Sequence, residues 1–315
     1  MGMESKYIWM DGKLVEFEKA TVHVLAPALH YGLGAFEGIR CYNTPKGSAV
    51  FRLSEHLERL VDSIEILGVR DFPYSVEQLR QAVHETIRAN DFLECYVRPL
   101  IYMANGPLGL NLDVSKPSVA IAVWEWGAYL GADAFEKGIR MMVSSFTRQH
   151  PNASMTKAKI TGNYPNSVMA KTLALRAGFD EAIMLDTNGL VAECTGENLF
   201  VVRGGKLYTT PRTNILEGIT RDSIITIARD LGYEVVEEQI SRDQLYIADE
   251  VFLTGTAAEC VSVSEIDFRK IGTGKAGPVV RAVQKVFHEA VHGQLPQYEA
   301  WCDYIGATVT VDSRS

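Results

Sequence analysis

The 315 residues are 47% hydrophobic and 22% charged, with a formal net charge of -8 and a mean hydropathy close to zero. That is the balance of a globular chain rather than a disordered one. Basic residues cluster no further than two or three in a row, so the sequence offers no polyanion footprint, which argues against nucleic acid and anionic membrane as partners.

A chain of this length is expected to fold as two lobes about a cleft, since domains run roughly 100 to 200 residues. "YIWMDGKLVEF" reads as a hairpin turning at Asp11-Gly12, and "AVFRL" as a short strand. From Ser54 the apolar residues Leu57, Leu60, Val61, Ile64 and Leu67 recur at helical spacing, with Ser54 as the cap and Gly68 as the stop. A second helix covers 76–89, and "CYVRPLIYM" and "SVAIAVWEW" are strands around the glycine-rich turn "NGPLGLN". "WGAYLGADAFEKG" carries neither periodicity and reads as the link between lobes, which places a small N-terminal domain at 1–126, a linker at 127–135 and a large domain at 136–315. The second lobe opens with "IRMMVSSF" and passes through a lysine-rich segment into a helix whose first turn accepts Pro165. Hairpins at Asn188-Gly189 and Gly204-Gly205 follow, then the helix "TRDSIITIARDLG", the strands "EVVEEQI" and "EVFLTGTAA", and a last helix, "PVVRAVQKVFHEAVHG". Strands and helices mix without strict alternation, so the fold class is α+β.

No apolar run approaches the roughly 18 residues of a membrane span, and the opening residues hold no uninterrupted apolar signal region, so the expected compartment is the cytoplasm. The five cysteines lack Cys-x-x-Cys spacing and read as reduced, buried thiols.

His288-Glu289-Ala290-Val291-His292 matches a zinc-protease pattern, yet both histidines share a helix face with Arg281 and Lys285, no third ligand follows, and no metal is expected. "GTGKAG" lacks the earlier glycine and the following hydroxyl of a phosphate loop, and "YGLGAFEG" lacks the context of a dinucleotide site. Three features remain. Gly218 and Thr220 open a helix whose free N–H groups suit a phosphate, Thr256 lies in a second small-residue loop, and Arg59 could add charge. Glu193, in the otherwise apolar "LVAECTGENLF", is either solvated at a strand end or a buried acid that needs a cation, such as a protonated pyridine nitrogen. A lysine forming a Schiff base must be partly neutral near pH 7, and Lys157, Lys159 and Lys171 have the right chemistry. Lys171 reads as solvated on its helix, while Lys157 and Lys159 would share a strand face and stay tied.

With "ALHYGLGAFEGIR", "YVRPLIY", "WGAYLGA", "AKITGNY", "EGITRD" and "TGTAAE" in order, the chain resembles the fold type IV aminotransferases that use pyridoxal 5'-phosphate, and among them the branched-chain amino acid aminotransferases. The resemblance implies a small N-terminal α/β domain, a larger domain with a β-barrel-like core, and a site between them. It implies Lys159 as the Schiff-base lysine, Tyr164 on the cofactor's phenolic oxygen, and Glu193 on the pyridinium nitrogen. Arg59, Gly218, Ile219, Thr220 and Thr256 would hold the phosphate. Tyr31, Phe36, Leu110, Trp126, Tyr129 and Tyr164 would form an apolar pocket beside Gly38 and Arg40, and Tyr96, Ala257 and Ala258 would fix the substrate's α-carboxylate. Arg98 would take the side-chain carboxylate of glutamate or 2-oxoglutarate. The implied assembly is a homodimer or a larger homo-oligomer up to a hexamer, with Tyr31 and Leu110 reaching in from the other subunit. D-amino acid aminotransferase, (R)-amine transaminase and aminodeoxychorismate lyase share the fold and are the rival readings, with a non-catalytic cofactor-binding protein as the rival of another class.

Overall fold

The structure is a computed structural model that describes residues 5–127 and 134–306. The first half builds β1 (Tyr7–Met10), β2 (Lys13–Glu16), α1 (Pro27–Tyr31), β3 (Gly34–Phe36), β4 (Ile39–Thr44), β5 (Gly47–Phe51), α2 (Leu53–Leu67), α3 (Val76–Ala89), β6 (Cys95–Asn105) and β7 (Lys116–Trp124). The second builds α4 (Ala134–Lys137), β8 (Ile139–Val143), α5 (Tyr164–Arg176), β9 (Glu181–Leu185), β10 (Val191–Cys194), β11 (Asn198–Arg203), β12 (Lys206–Thr209) and α6 (Ile219–Asp230). It ends with β13 (Val235–Glu237), α7 (Arg242–Tyr246), β14 (Glu250–Gly255), β15 (Glu259–Ile266), β16 (Arg269–Lys270), α8 (Pro278–Val291) and β17 (Cys302–Tyr304).

One sheet runs β17-β5-β4-β6-β7-β1-β2 with β3 on β6, and α2 and α3 bury their apolar stripes, including Leu57, Leu60, Ile64, Leu79 and Val83, with that sheet in one core. The last strand, β17, thus returns to the sheet built by the first half of the chain. The second sheet runs β10-β9-β8-β15-β14-β11-β12-β13, with β16 on β15, and curls as a half-barrel. Its strands β11 and β14 carry continuous apolar runs, Leu199–Val202 and Val251–Leu253, because both faces are covered. Phe200, Val202 and Phe252 pack with α6 and α8, while Leu199, Val201, Val251 and Leu253 enter the opposite core.

Several local expectations need correction. Ser54 lies exposed inside α2 and does not cap it; the N-cap is Arg52, which bends the chain at φ 50° and reaches Asp222 at the start of α6 at 2.6 Å. "LVAECTGENLF" is two strands, β10 and β11, joined by a turn at 195–197. The strand expected over "EVVEEQI" shrinks to Val235–Glu237. The expected linker falls largely on residues 128–133, outside the described residues. Among the described residues no helix is long and apolar enough to cross a membrane.

Candidate active site

All eight residues that the resemblance assigns to the cofactor line one cavity. The lysine segment that feeds it is not a strand: residues 151–159 run in turns, and only Ile160 forms a bridge, to Ala35. The face shared by Lys157 and Lys159 therefore does not exist. Lys157 turns away, to Glu217 at 2.9 Å and to the Arg212 carbonyl. Lys159 turns inward, its Nζ 2.7 Å from Tyr164 Oη and 5.1 Å from the centroid of the Phe36 ring. Its backbone is pinned on both sides, donating to Ser63 Oγ at 2.9 Å and accepting from the Phe36 N–H at 3.1 Å. Lys171 is not solvated as expected: it pairs with the fully buried Glu181 and donates to the Asp180 carbonyl at 2.7 Å.

The polar end of the cavity is built by α2 and α6. Arg59 enters from α2, and Gly218, Ile219 and Thr220 start α6, whose first N–H groups have no partner within the helix. A side chain at 218 would clash: a Cβ there would stand 2.0 Å from Asn198 Oδ1, so only glycine lets the backbone approach this closely. Thr256 closes the far side, and the buried Thr254 Oγ1 on the same wall lacks a partner among the described residues. Free helix N–H groups, a guanidinium and an orphaned hydroxyl in one cup fit a phosphate group.

Glu193 is buried, as one of its two readings required, but it already has a cation. Arg148 NH2 lies 2.5 Å from Oε1, while Asn198 Nδ2 and the Leu216 N–H each donate to Oε2 at 3.1 Å. Burial raises the Glu193 carboxyl above its ordinary value, and Arg148, the Leu216 amide and Lys159 limit the rise. A carboxylate offers about four lone-pair directions, so one is left for a donor from the cavity. Glu197, in the β10–β11 turn, is buried, and burial followed by the charge of Glu181 pushes its carboxyl well above the usual range.

An aromatic wall continues from the reacting end. The Phe36 ring stands edge-on to Tyr164 at 4.7 Å, and Tyr96 stacks on Trp126 at 4.7 Å. The Arg98 guanidinium lies over Phe36, Tyr96 and Trp124 at 4.9, 5.4 and 5.7 Å, and its buried Nε has no partner among the described residues. Gly38 has to be glycine, because a Cβ there would meet Tyr96 Oη at 1.9 Å. Arg40 and Tyr42 both bond Glu259, at 3.0 and 2.8 Å, which anchors the loop carrying Ala257 and Ala258. Tyr31 is exposed and Leu110 is 93% exposed, and neither lines the cavity; Phe36, Tyr96, Arg98 and Trp126 also lie outside its lining. Tyr129 lies outside the described residues.

Sequence reasoning missed Glu37, Ser63, Arg148 and Asn198. Ser63 had a readable signal: His56, Arg59 and Ser63 form a polar line at helical spacing along an otherwise apolar stripe of α2. Glu37 had a weaker one, an acid inside "YGLGAFEGI". Nothing local distinguishes Arg148.

The family model described as "Amino-transferase class IV" matches residues 34–266. A "Branched-chain-amino-acid aminotransferase" of Pseudomonas aeruginosa is 46% identical over 294 residues, 93% of this chain and 95% of that protein. The solved branched-chain amino acid aminotransferase of T.th. with pyridoxamine 5'-phosphate superposes with a TM-score of 0.94 at 50% identity, covering 97% of this chain and 100% of that one. The same enzyme complexed with N-(5'-phosphopyridoxyl)-L-glutamate gives 0.93 at 49% identity, with the same coverage.

Proposed function

The chain belongs to the class IV aminotransferase family, and on that premise we propose that it is a pyridoxal 5'-phosphate-dependent transaminase that moves the amino group of L-leucine, L-isoleucine or L-valine to 2-oxoglutarate. The observation that carries the reading is the one cavity lined together by Lys159, whose amine is 2.7 Å from Tyr164 Oη, by the start of α6 and by the buried Glu193. When bound, the cofactor supplies a conjugated electron sink and a carbonyl carbon that carries the amino group from one acid to the other.

The chain's own residues supply the rest. Arg59, the N–H groups of Ile219 and Thr220, and Thr256 bind the phosphate. Glu193 uses its remaining lone pair to hold a proton on the pyridine nitrogen, and Arg148 keeps that carboxylate in place. Tyr164 Oη orients Lys159 Nζ, which would take up the proton leaving the substrate's Cα and deliver it to the carbon on the other side of the amino nitrogen, the cofactor's carbonyl-derived carbon. Phe36, Trp126 and the Tyr164 ring exclude water around an aliphatic side chain. Arg98 rests on aromatic faces while that side chain is bound and offers its unpartnered Nε when a γ-carboxylate takes its place, which is how one pocket serves two substrates. Tyr96 and the 256–258 loop face the α-carboxylate.

We read the working unit as at least a homodimer, because Leu110, Leu29, Val24 and Leu25 are left exposed. We divide the chain into a small domain at 1–126 and a large one at 136–315, a division that β17 crosses by pairing with β5 of the first sheet. A cytoplasmic setting fits the five free, buried cysteines. The test is the visible absorption of the purified protein. L-Leucine should bleach it and 2-oxoglutarate restore it, whereas D-alanine and (R)-phenylethylamine should leave it unchanged. A colourless protein, or bleaching by D-alanine alone, would overturn the reading.

A further inference from the structure

Arg59 does not reach the phosphate cup unaided. Its Nε and NH2 donate to the two oxygens of Glu37 at 2.7 and 2.8 Å, and NH1 donates to the Glu217 carbonyl at 2.7 Å. Glu37 directly follows β3 and is fully buried, and its other side-chain partners are His56 Nδ1 at 2.7 Å and the Gly38 N–H at 3.3 Å. A carboxylate taken wholly out of water is a poor source of stability, because desolvation offsets most of the coulombic gain. This one is spent on a residue of the site. Of the five guanidinium N–H donors three are used among the described residues, so the side-on grip of Glu37 and the carbonyl of Glu217 determine where the other two face.

We infer that Glu37 is a positioning residue for cofactor recognition: its two-oxygen grip fixes the plane of Arg59 so that the two remaining donors meet the cofactor's phosphate. The inference rests on the reading of the cavity given above. Burial alone would raise the Glu37 carboxyl, but the charge of Arg59, aided by the hydrogen bond from His56, more than offsets it and holds it well below the usual range, so the grip stays charged. Burial likewise drives His56 toward the neutral imidazole despite the nearby carboxylate. A neutral His56 fills one lone pair of Glu37 without competing with Arg59 for its charge. The same turn of chain carries Phe36, whose N–H holds the Lys159 carbonyl, so phosphate arginine, substrate wall and lysine share one short segment.

The experiment compares two probes on the full-length chain freed of cofactor: pyridoxal 5'-phosphate and pyridoxal, which lacks the phosphate. Glu37→Gln is expected to weaken the phosphorylated probe by about tenfold or more and to leave pyridoxal within about twofold of the parent. Arg59→Ala should do the same, and the double variant should be no worse than Arg59→Ala alone. Glu37→Asp, which keeps the charge but withdraws it by one methylene, is the variant to use if Glu37→Gln does not fold. It should lose several-fold in affinity for pyridoxal 5'-phosphate only. Equal loss for both probes, or additive losses in the double variant, would make Glu37 a fold residue and overturn the inference. If Arg59→Ala itself fails to separate the two probes, the phosphate assignment falls instead, and the inference with it.

Discussion

Gly218→Ala adds one methyl group at the most crowded point of the cavity. The new carbon would stand 2.0 Å from Asn198 Oδ1, and Asn198 would have to retreat by about 1 Å or more to restore an ordinary contact. Asn198 is buried and its Nδ2 bridges Glu193 Oε2 and the Leu216 carbonyl, both at 3.1 Å, so retreat breaks both bonds. The bond to the ionised Glu193 is worth about 1.5–3 kcal/mol, and an orphaned buried amide costs about 1–3 kcal/mol more. Glu193 and the start of α6 both line the cofactor cavity, so much of this loss should fall on binding. At about 1.4 kcal/mol per factor of ten, affinity for pyridoxal 5'-phosphate should fall by roughly 10²-fold. The assay is titration of the cofactor-free protein, with thermal unfolding measured alongside. Asn198→Ala removes the obstruction, so the double variant should bind as Asn198→Ala does. A Gly218→Ala protein that binds within about threefold of the parent, or additive losses in the double variant, would refute the steric argument.

Lys159→Ala should abolish transfer from L-leucine to 2-oxoglutarate, and Lys157→Ala should retain most of it because Lys157 points to Glu217 outside the cavity; equal steady-state rates for the two variants would contradict the geometry. Lys171→Met strands the fully buried Glu181 without its cation, and urea denaturation should show a loss of about 3–5 kcal/mol, as for other broken buried pairs. Glu197→Gln tests the raised carboxyl. Its folded pKa, pushed up to about 8 from 4.5, lies above the unfolded value, so its contribution is full below the unfolded value and is lost as pH rises toward the folded one. The variant should therefore gain thermal stability relative to the parent at pH 8 and lose that advantage at pH 5, and a constant offset across the range would refute the shift.

The elements with strong periodicity or turn chemistry were legible from residues alone. The Asp11-Gly12 hairpin, the 76–89 helix and the two-residue turn at Gly204-Gly205 all form where patterning puts them, because each is decided within a few residues of itself. The cap of α2 was not, because Arg52 is held at positive φ by a contact to Asp222, 170 positions away. Glu193 shows the same limit at the site. Burial of a lone acid could be suspected from its apolar strand, but its cation, Arg148, comes from a loop with no local signature. Lys159 and Lys157 could not be separated by strand geometry because there is no strand; the choice is made by Ser63 on α2 and by the Phe36 amide, neither of which is near in sequence.

The Ser63 contact also bears on how the site discriminates. Ser63 Oγ donates to the Arg59 carbonyl at 2.6 Å and accepts from the Lys159 N–H at 2.9 Å, so the phosphate arginine and the reactive lysine hang on one turn of one helix. Any movement of α2 carries both, and the distance between the phosphate end and the reacting end stays set whichever substrate is present. Discrimination between an aliphatic and an acidic partner then has to come from groups outside this unit. Arg98 sits on stacked aromatic faces, while the 256–258 loop is anchored through Glu259, which itself holds a φ of 59° under the bonds from Arg40 and Tyr42. Substitutions at Arg98 or Glu259 should therefore alter the ratio of kcat/KM for leucine over glutamate, whereas substitutions at Ser63 should lower both together.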